Sequence, residues 1–278
     1  MIREAVAVRP NGPLRSVVSE HHGYLEHGVA PMRHLGLPSP WLTVIFTLHE
    51  PMHLAQHVDP RTPPGSFDSL IGGMHTSPAI VVHDGAQSGI QLALSPLGAR
   101  ALFGMPAGEL AGIDVAATDV LGPCADGLQH RLAEAPGWRA RFAVLDEHLG
   151  RRVDGMRRPP HEVCHAWRLL RASRGTAQIA DIARTVGWSE RHLATRFRTE
   201  IGLTPKAAAR VIRFDRARRM VRNRLPGAEV AARCGYFDQA HLVRDFTAFA
   251  GVSPSRWFAD EVGNVQVPQA GARAELVP

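Results

Sequence analysis

Residues 179–205 read IADIARTVGWSERHLATRFRTEIGLTP, and residues 228–254 read AEVAARCGYFDQAHLVRDFTAFAGVSP. The second stretch repeats the skeleton of the first. Ala183 and Gly187 answer to Ala231 and Gly235 at an offset of 48, whereas Leu193, Phe197, Gly202 and Pro205 answer to Leu242, Phe246, Gly251 and Pro254 at 49, so the second segment has one extra residue in its turn. A small alanine lets one helix approach the next, and the glycine four residues on supplies the left-handed backbone of a tight turn. Ser189 and Asp238 are suited to cap the helix that follows. Leu193, Phe197 and Ile201, and in the other segment Leu242, Phe246 and Phe249, fall at helical spacing and form its inward stripe. The expectation is two helix-turn-helix units in tandem.

The chain between them fits the same picture. Thr204 followed by Pro205 is an N-cap and a first-turn proline, and from there the sequence can run as one helix until Leu225-Pro226 stops it. About 18 helical residues at 1.5 Å each span roughly 27 Å. With the flanking turns this approaches the roughly 34 Å between major grooves on one face of B-DNA. Charge points the same way. Residues 1–150 carry 9 basic and 14 acidic side chains, net −5, while residues 151–260 carry 22 basic and 10 acidic, net +12, although the whole chain is only +6. A polyanion partner is therefore expected for the second half alone. Tight helical hairpins also occur in proteins that never touch nucleic acid, but two in tandem inside the basic half favour double-stranded DNA.

The doubled pattern GWSERHLATRFRTEIGLTP and GYFDQAHLVRDFTAFAGVSP resembles the AraC/XylS transcription regulators over about residues 161–258. The longer second turn, the linker helix and the ending of glycine, two residues, proline all fit that family. Three positions depart from it: Ala208 stands where an aromatic commonly follows Thr-Pro, although Trp257 fills the matching place later, and Thr247-Ala248 replace the basic residues usual after the second Phe. The resemblance implies a weaker phosphate grip by the second unit.

Positions facing away from the apolar stripe are the candidate groove residues. In the first unit these are Ser189, Glu190, Arg191, Ala194, Thr195 and Arg198; in the second, Asp238, Gln239, Ala240, His241, Val243 and Arg244. Arg191 can chelate guanine O6 and N7, Gln239 suits adenine, and Ala194 or the Thr195 methyl can meet a thymine methyl. The resemblance puts base contacts at these same places. Arg210, Arg213, Arg216, Arg218, Arg219, Arg222 and Arg224 on the linker helix are expected to hold DNA backbone or to confer solubility, without base information.

The first half reads as strands and turns, with short extended segments at 42–48, 52–58, 79–83 and 89–95 separated by Pro, Gly and Asp, then helices after Pro96. Around GIQLALSPLGARALFG there is a looser resemblance to the N-terminal domain of a subgroup of the same family, whose added domain commonly binds an effector or dimerises. The resulting expectation is an α+β chain: an effector-binding or dimerisation domain over 1–150, a linker over 151–160, the double helix-turn-helix over 161–260 and a flexible tail over 261–278. The start of the chain lacks a signal-peptide pattern and no apolar run approaches a membrane span, so a cytoplasmic location without membrane contact is expected. Cys124, Cys164 and Cys234 are odd in number and widely separated, which supports neither a disulfide framework nor a cysteine zinc site. Histidines are dense between His21 and His83, but Pro51 breaks any helix there and no carboxylate or cysteine sits at ligand spacing. No cofactor or metal is assigned. No catalytic constellation stands out, and the reactive-cysteine surroundings of the DNA-repair methyltransferases that carry a similar helical module are missing.

These readings combine into a sequence-specific DNA-binding transcription regulator, not an enzyme. Its expected partners are double-stranded DNA, an unknown small-molecule effector, a second copy in a homodimer and, for an activator, RNA polymerase. Two alternatives stay open: a constitutive DNA binder whose first domain only dimerises, and a metal-dependent catalytic domain fused to a DNA-binding module.

Overall fold

The computed structural model describes residues 1–155 and 157–261. In the first half, ten strands form two antiparallel sheets: β1 (Ile2–Val8), β2 (Val18–His27), β3 (Met32–Gly36), β4 (Leu42–Thr47), β5 (Met52–Gln56), β6 (Gly65–Phe67), β7 (Ser69–Gly72), β8 (Ala79–His83), β9 (Ala86–Leu94) and β10 (Asp114–Ala116). One sheet has the order β1-β2-β9-β4-β7-β10, the other β3-β8-β5-β6. β4, LTVIFT, is rich in the β-branched and aromatic residues that suit a pleated surface. It lies inside the larger sheet, with Val44 opposite Leu92 on β9 and Ile71 on β7.

Strand positions expected at 42–48, 52–58, 79–83 and 89–95 match β4, β5, β8 and β9 to within a few residues. β1, β2, β3, β6, β7 and β10 fall outside the expected segments. β2 carries His21, His22 and Glu26, a polar composition that hides a strand lying between β1 and β9, and all three side chains are buried. His34, His57 and His83 are buried too. Among the described residues no group of three or more His, Cys, Asp or Glu is placed to hold a metal ion.

Helices follow the sheets: α1 (Ala99–Phe103), α2 (Ala117–Leu121), α3 (Cys124–Glu134) and α4 (Trp138–Gly150), with a short 3-10 turn at Ala107–Leu110. After the Pro159-Pro160 pair come α5 (His161–Ala172), α6 (Ile179–Thr185), α7 (Glu190–Ile201), α8 (Pro205–Arg222), α9 (Gly227–Cys234), α10 (Gln239–Ala250) and α11 (Pro254–Glu261). α5 buries Val163, Ala166, Trp167 and Leu170, the spacing of one helical face. Glu261, first residue of the expected tail, ends α11 and accepts a hydrogen bond from the Leu35 N–H at 2.7 Å; the rest of that tail, 262–278, lies outside the described residues.

One apolar cluster runs without a break from Leu42, Phe46 and Ile90 in the sheets through Leu128 and Leu145 to Trp167, Phe197 and Phe246. No described helix is long and apolar enough to cross a membrane.

Candidate nucleic-acid interface

Each helix-turn-helix unit is closed by the same local devices. Gly187 and Gly235 have φ of 74° and 73°, a backbone that L side chains rarely adopt. The next residue turns back in both, Trp188 N–H donating to the Ala183 carbonyl at 2.9 Å and Tyr236 N–H to that of Ala231 at 3.0 Å. Ser189 Oγ accepts from His192 N–H at 3.2 Å, and Asp238 Oδ1 from His241 N–H at 2.6 Å, so both expected caps are in place. Left-handed Gly202 and Gly251 end α7 and α10. Leu193, Phe197 and Ile201, and likewise Leu242, Phe246 and Phe249, are buried.

The outward face of α7 presents Glu190, Arg191, Thr195 and Arg198 to solvent, with exposed Ser189 at its cap and half-buried Ala194 among them. α10 presents Gln239, Ala240 and Arg244, with Asp238 exposed at its cap and Val243 half-buried. His241 is half-buried, its ring edge-on to Tyr236 at 5.2 Å, and its Nδ1 accepts from the Phe237 N–H. It braces the turn as well as flanking the outward face. Arg196 and Thr199, exposed on α7, lie outside the twelve positions read from the sequence.

The linker helix α8 begins as expected, with Thr204 Oγ1 accepting from Ala207 N–H and Pro205 in the first turn. Five of its arginines have partners within the chain, a role beyond backbone contact or solubility. Arg210 pairs with buried Asp245 of α10 at 2.7 Å, Arg213 donates to the Gly175 carbonyl at 3.0 Å, and Arg216 donates to the Arg233 carbonyl of α9. Arg218 and Arg219 both pair with Asp215. Their charge is legible from sequence, but their partners lie three to 38 residues away and are not.

Two further features involve the first half. The C-terminal end of α7 is docked on it: buried Glu200 takes two hydrogen bonds from Arg100 of α1, at 2.7 and 2.9 Å, and a Cβ on Gly108 would lie 2.1 Å from the Thr199 carbonyl oxygen. Nothing in the local sequence marks this pair, whose members are 100 positions apart. A cavity of about 850 Å³ also opens between the inner strands and α8. Its wall is apolar at Leu37, Ile45, Leu54 and Val81 and cationic at Arg171 and Arg222. Burial lowers the pKa of Arg171, whose guanidinium lies over the Trp41 ring, and burial together with Arg218 and Arg219 lowers that of Arg222 to about 10. Neither has a carboxylate in ion-pair contact among the described residues, Asp215 being shared by Arg218 and Arg219.

Residues 182–260 match the family model of a helix-turn-helix domain. No curated protein matches the sequence. Among solved structures, the apo form of a ToxT variant from Vibrio cholerae covers 91% of this chain and 99% of its own at 10% identity, with a TM-score of 0.51. ToxT bound to an unsaturated fatty acid aligns over 91% of this chain and 97% of its own at 10% identity, with a TM-score of 0.48. A Chromobacterium violaceum transcriptional regulator of the AraC-type DNA-binding class aligns over 37% of this chain and 94% of its own at 22% identity, with a TM-score of 0.34. At such identity the first of these shows a shared fold. Residues 182–260 thus form a helix-turn-helix domain, the module that the duplicated sequence pattern led us to expect.

Proposed function

We propose that the chain reads specific DNA with α7 and α10 placed in successive major grooves, and that a small molecule in the 850 Å³ cavity sets its activity. The observation that carries the first part is the duplicated unit itself: two helices, each entered through a left-handed glycine and a side-chain N-cap, each presenting arginine on a solvent-facing side. Arg191 and Arg244 are the guanine-reading candidates, and Gln239 the adenine-reading one. Selection of bound oligonucleotides from a random pool is expected to return two half-sites about 10 base pairs apart. A motif with a single half-site would overturn two-groove reading. Arg191→Ala is expected to cost roughly 1 to 3 kcal/mol and to relax preference at one base pair. An equal loss on every sequence would move Arg191 from base reading to backbone contact.

The second part rests on the arginines of the cavity. Two half-buried cations with no carboxylate in ion-pair contact among the described residues, beside an apolar wall, favour an effector with an acidic group and an apolar body. Binding such a molecule would give Arg171 and Arg222 the direct ion pairing that Asp215 makes with Arg218 and Arg219. Medium-chain monocarboxylates are expected to raise the melting temperature, by the equivalent of about 2.7 kcal/mol at a hundredfold excess over Kd. The matching primary amides should do far less, and Arg222→Gln should remove the difference. Equal effects of acid and amide would sink the anionic reading, and no response to any ligand would favour the constitutive binder. RNA polymerase contact and dimerisation belong to the same reading, through surfaces other than the outward faces of α7 and α10.

A further inference from the structure

Aligning the two units through their hydrogen bonds rather than their sequences identifies the extra residue of the second turn. Trp188 and Tyr236 are equivalent: each follows the left-handed glycine, each closes the turn onto the alanine carbonyl, and each meets the histidine three places after its cap edge-on, at 4.6 Å for Trp188 and His192 and 5.2 Å for Tyr236 and His241. Ser189 directly follows Trp188, whereas Phe237 stands between Tyr236 and its counterpart cap Asp238. Phe237 is therefore the insertion. An apolar residue just before an N-cap commonly packs on the first turn of its helix. Here that place is filled, since Tyr236 and Leu242 are buried in a small cluster with Val230 and Ala231, and the Phe237 ring is left 93% exposed. The described large apolar side chains contain one other of comparable exposure, the N-terminal Met1.

We infer that Phe237 is a specificity-determining DNA contact, its ring meeting the C5 methyl of a thymine in the half-site read by α10. The inference rests on the DNA-reading function proposed above. Three observations favour this occupant. Recognition helices of this kind meet base edges with their N-terminal residues, and Phe237 sits immediately before that end of α10. Beside it Gln239 and Arg244 are exposed and able to hydrogen-bond bases or phosphate, the Asp238 carboxylate caps α10, and the apolar Ala240 and Val243 are far smaller than the Phe237 ring. An apolar ring among them has one kind of partner in a major groove, the thymine methyl. Finally, the half of the chain that holds it carries 22 basic against 10 acidic residues over 151–260, an excess that suits a polyanion partner for that half.

The test is a cycle of protein and DNA changes on the full chain. Operators selected with the wild-type protein are resynthesised with deoxyuridine for each thymine of the second half-site in turn, which removes one methyl and nothing else. One such change is expected to weaken wild-type binding about fourfold, the value of burying one methyl-sized group. Phe237→Ala should weaken binding to the unmodified operator by at least as much and should be insensitive to that same change. Its salt dependence should keep the wild-type slope, since no phosphate contact is lost. Its melting temperature should not move, because the ring packs on nothing. Additive effects of the two changes, or an unaltered Kd for Phe237→Ala, would overturn the inference. So would a variant that binds DNA normally and fails only to activate transcription, which would assign the ring to RNA polymerase. Failure of the wild-type protein to select any DNA would instead remove the underlying function.

Discussion

Arg100→Ala is expected to lower the stability of the full chain by about 3 kcal/mol, because it leaves the Glu200 carboxylate buried with no cation. Glu200 is 2% exposed and takes both of its hydrogen bonds from that one guanidinium, at 2.7 and 2.9 Å. The Arg100 side chain is about a third exposed, so water already screens part of the pair, and the estimate is kept at the lower end of what removing one partner of a buried pair costs. For a chain of this size the loss corresponds to about 6 to 12 °C in melting temperature. Arg100→Ala combined with Glu200→Gln should recover much of it, since a neutral amide needs no counter-charge. If the single variant melts with the wild type, the pair is not a structural tie between the sheets and α7. This pair and the close approach of Gly108 to the Thr199 carbonyl fix the C-terminal end of α7 to the first half of the chain.

A second large effect is expected on acidification. His21 of β2 is fully buried, stacked on Phe142, and burial lowers its pKa from 6.5 to about 4. The charged group facing it, Asp146 at 3.5 Å, is itself raised by burial and is already engaged by Asn11. The unfolded chain therefore takes up a proton on His21 below about pH 6.5 that the folded chain refuses until about pH 4. The folded state has its full stability above that window and loses it as pH falls, at up to 1.36 kcal/mol per unit, or about 3 kcal/mol across the whole window. Urea unfolding at pH 7.5 and pH 5 should show about 2 kcal/mol of loss in the wild type that is absent in His21→Leu. Parallel curves for the two proteins would show that His21 does not carry the acid sensitivity.

The second half was readable because its constraints are local. Capping residues, turn glycines and an apolar stripe lie within a dozen positions of one another, so Ser189, Gly187 and Leu193 identify a unit without reference to the rest of the chain. The outward faces followed from the same periodicity. The first half was less legible, because what buries β2 is its place between β1 and β9, and that place makes a polar sequence an interior strand. The same limit applies to the arginines of α8, whose count indicated polyanion binding while the fold engages Arg210, Arg213 and Arg216 with other parts of the chain. The docking of α7 through Glu200 depends on a partner in another element altogether, and the role inferred for Phe237 needed the hydrogen-bond equivalence of the two turns before the odd residue could be picked out.

The tethering of α8 has a mechanical corollary. Arg210 joins it to α10, Arg213 to the loop that leads into α6, and Phe214 packs on Phe246 and Phe249, so the segment joining the two helix-turn-helix units is clamped along its length and cannot act as an elastic tether. A protein so built behaves as a caliper of fixed gauge. On the two-groove reading proposed above, a target whose helical pitch fails to match that gauge would have to bend or twist to meet it, and the ease with which a given stretch of base pairs deforms would become part of what the protein selects, at positions it never touches.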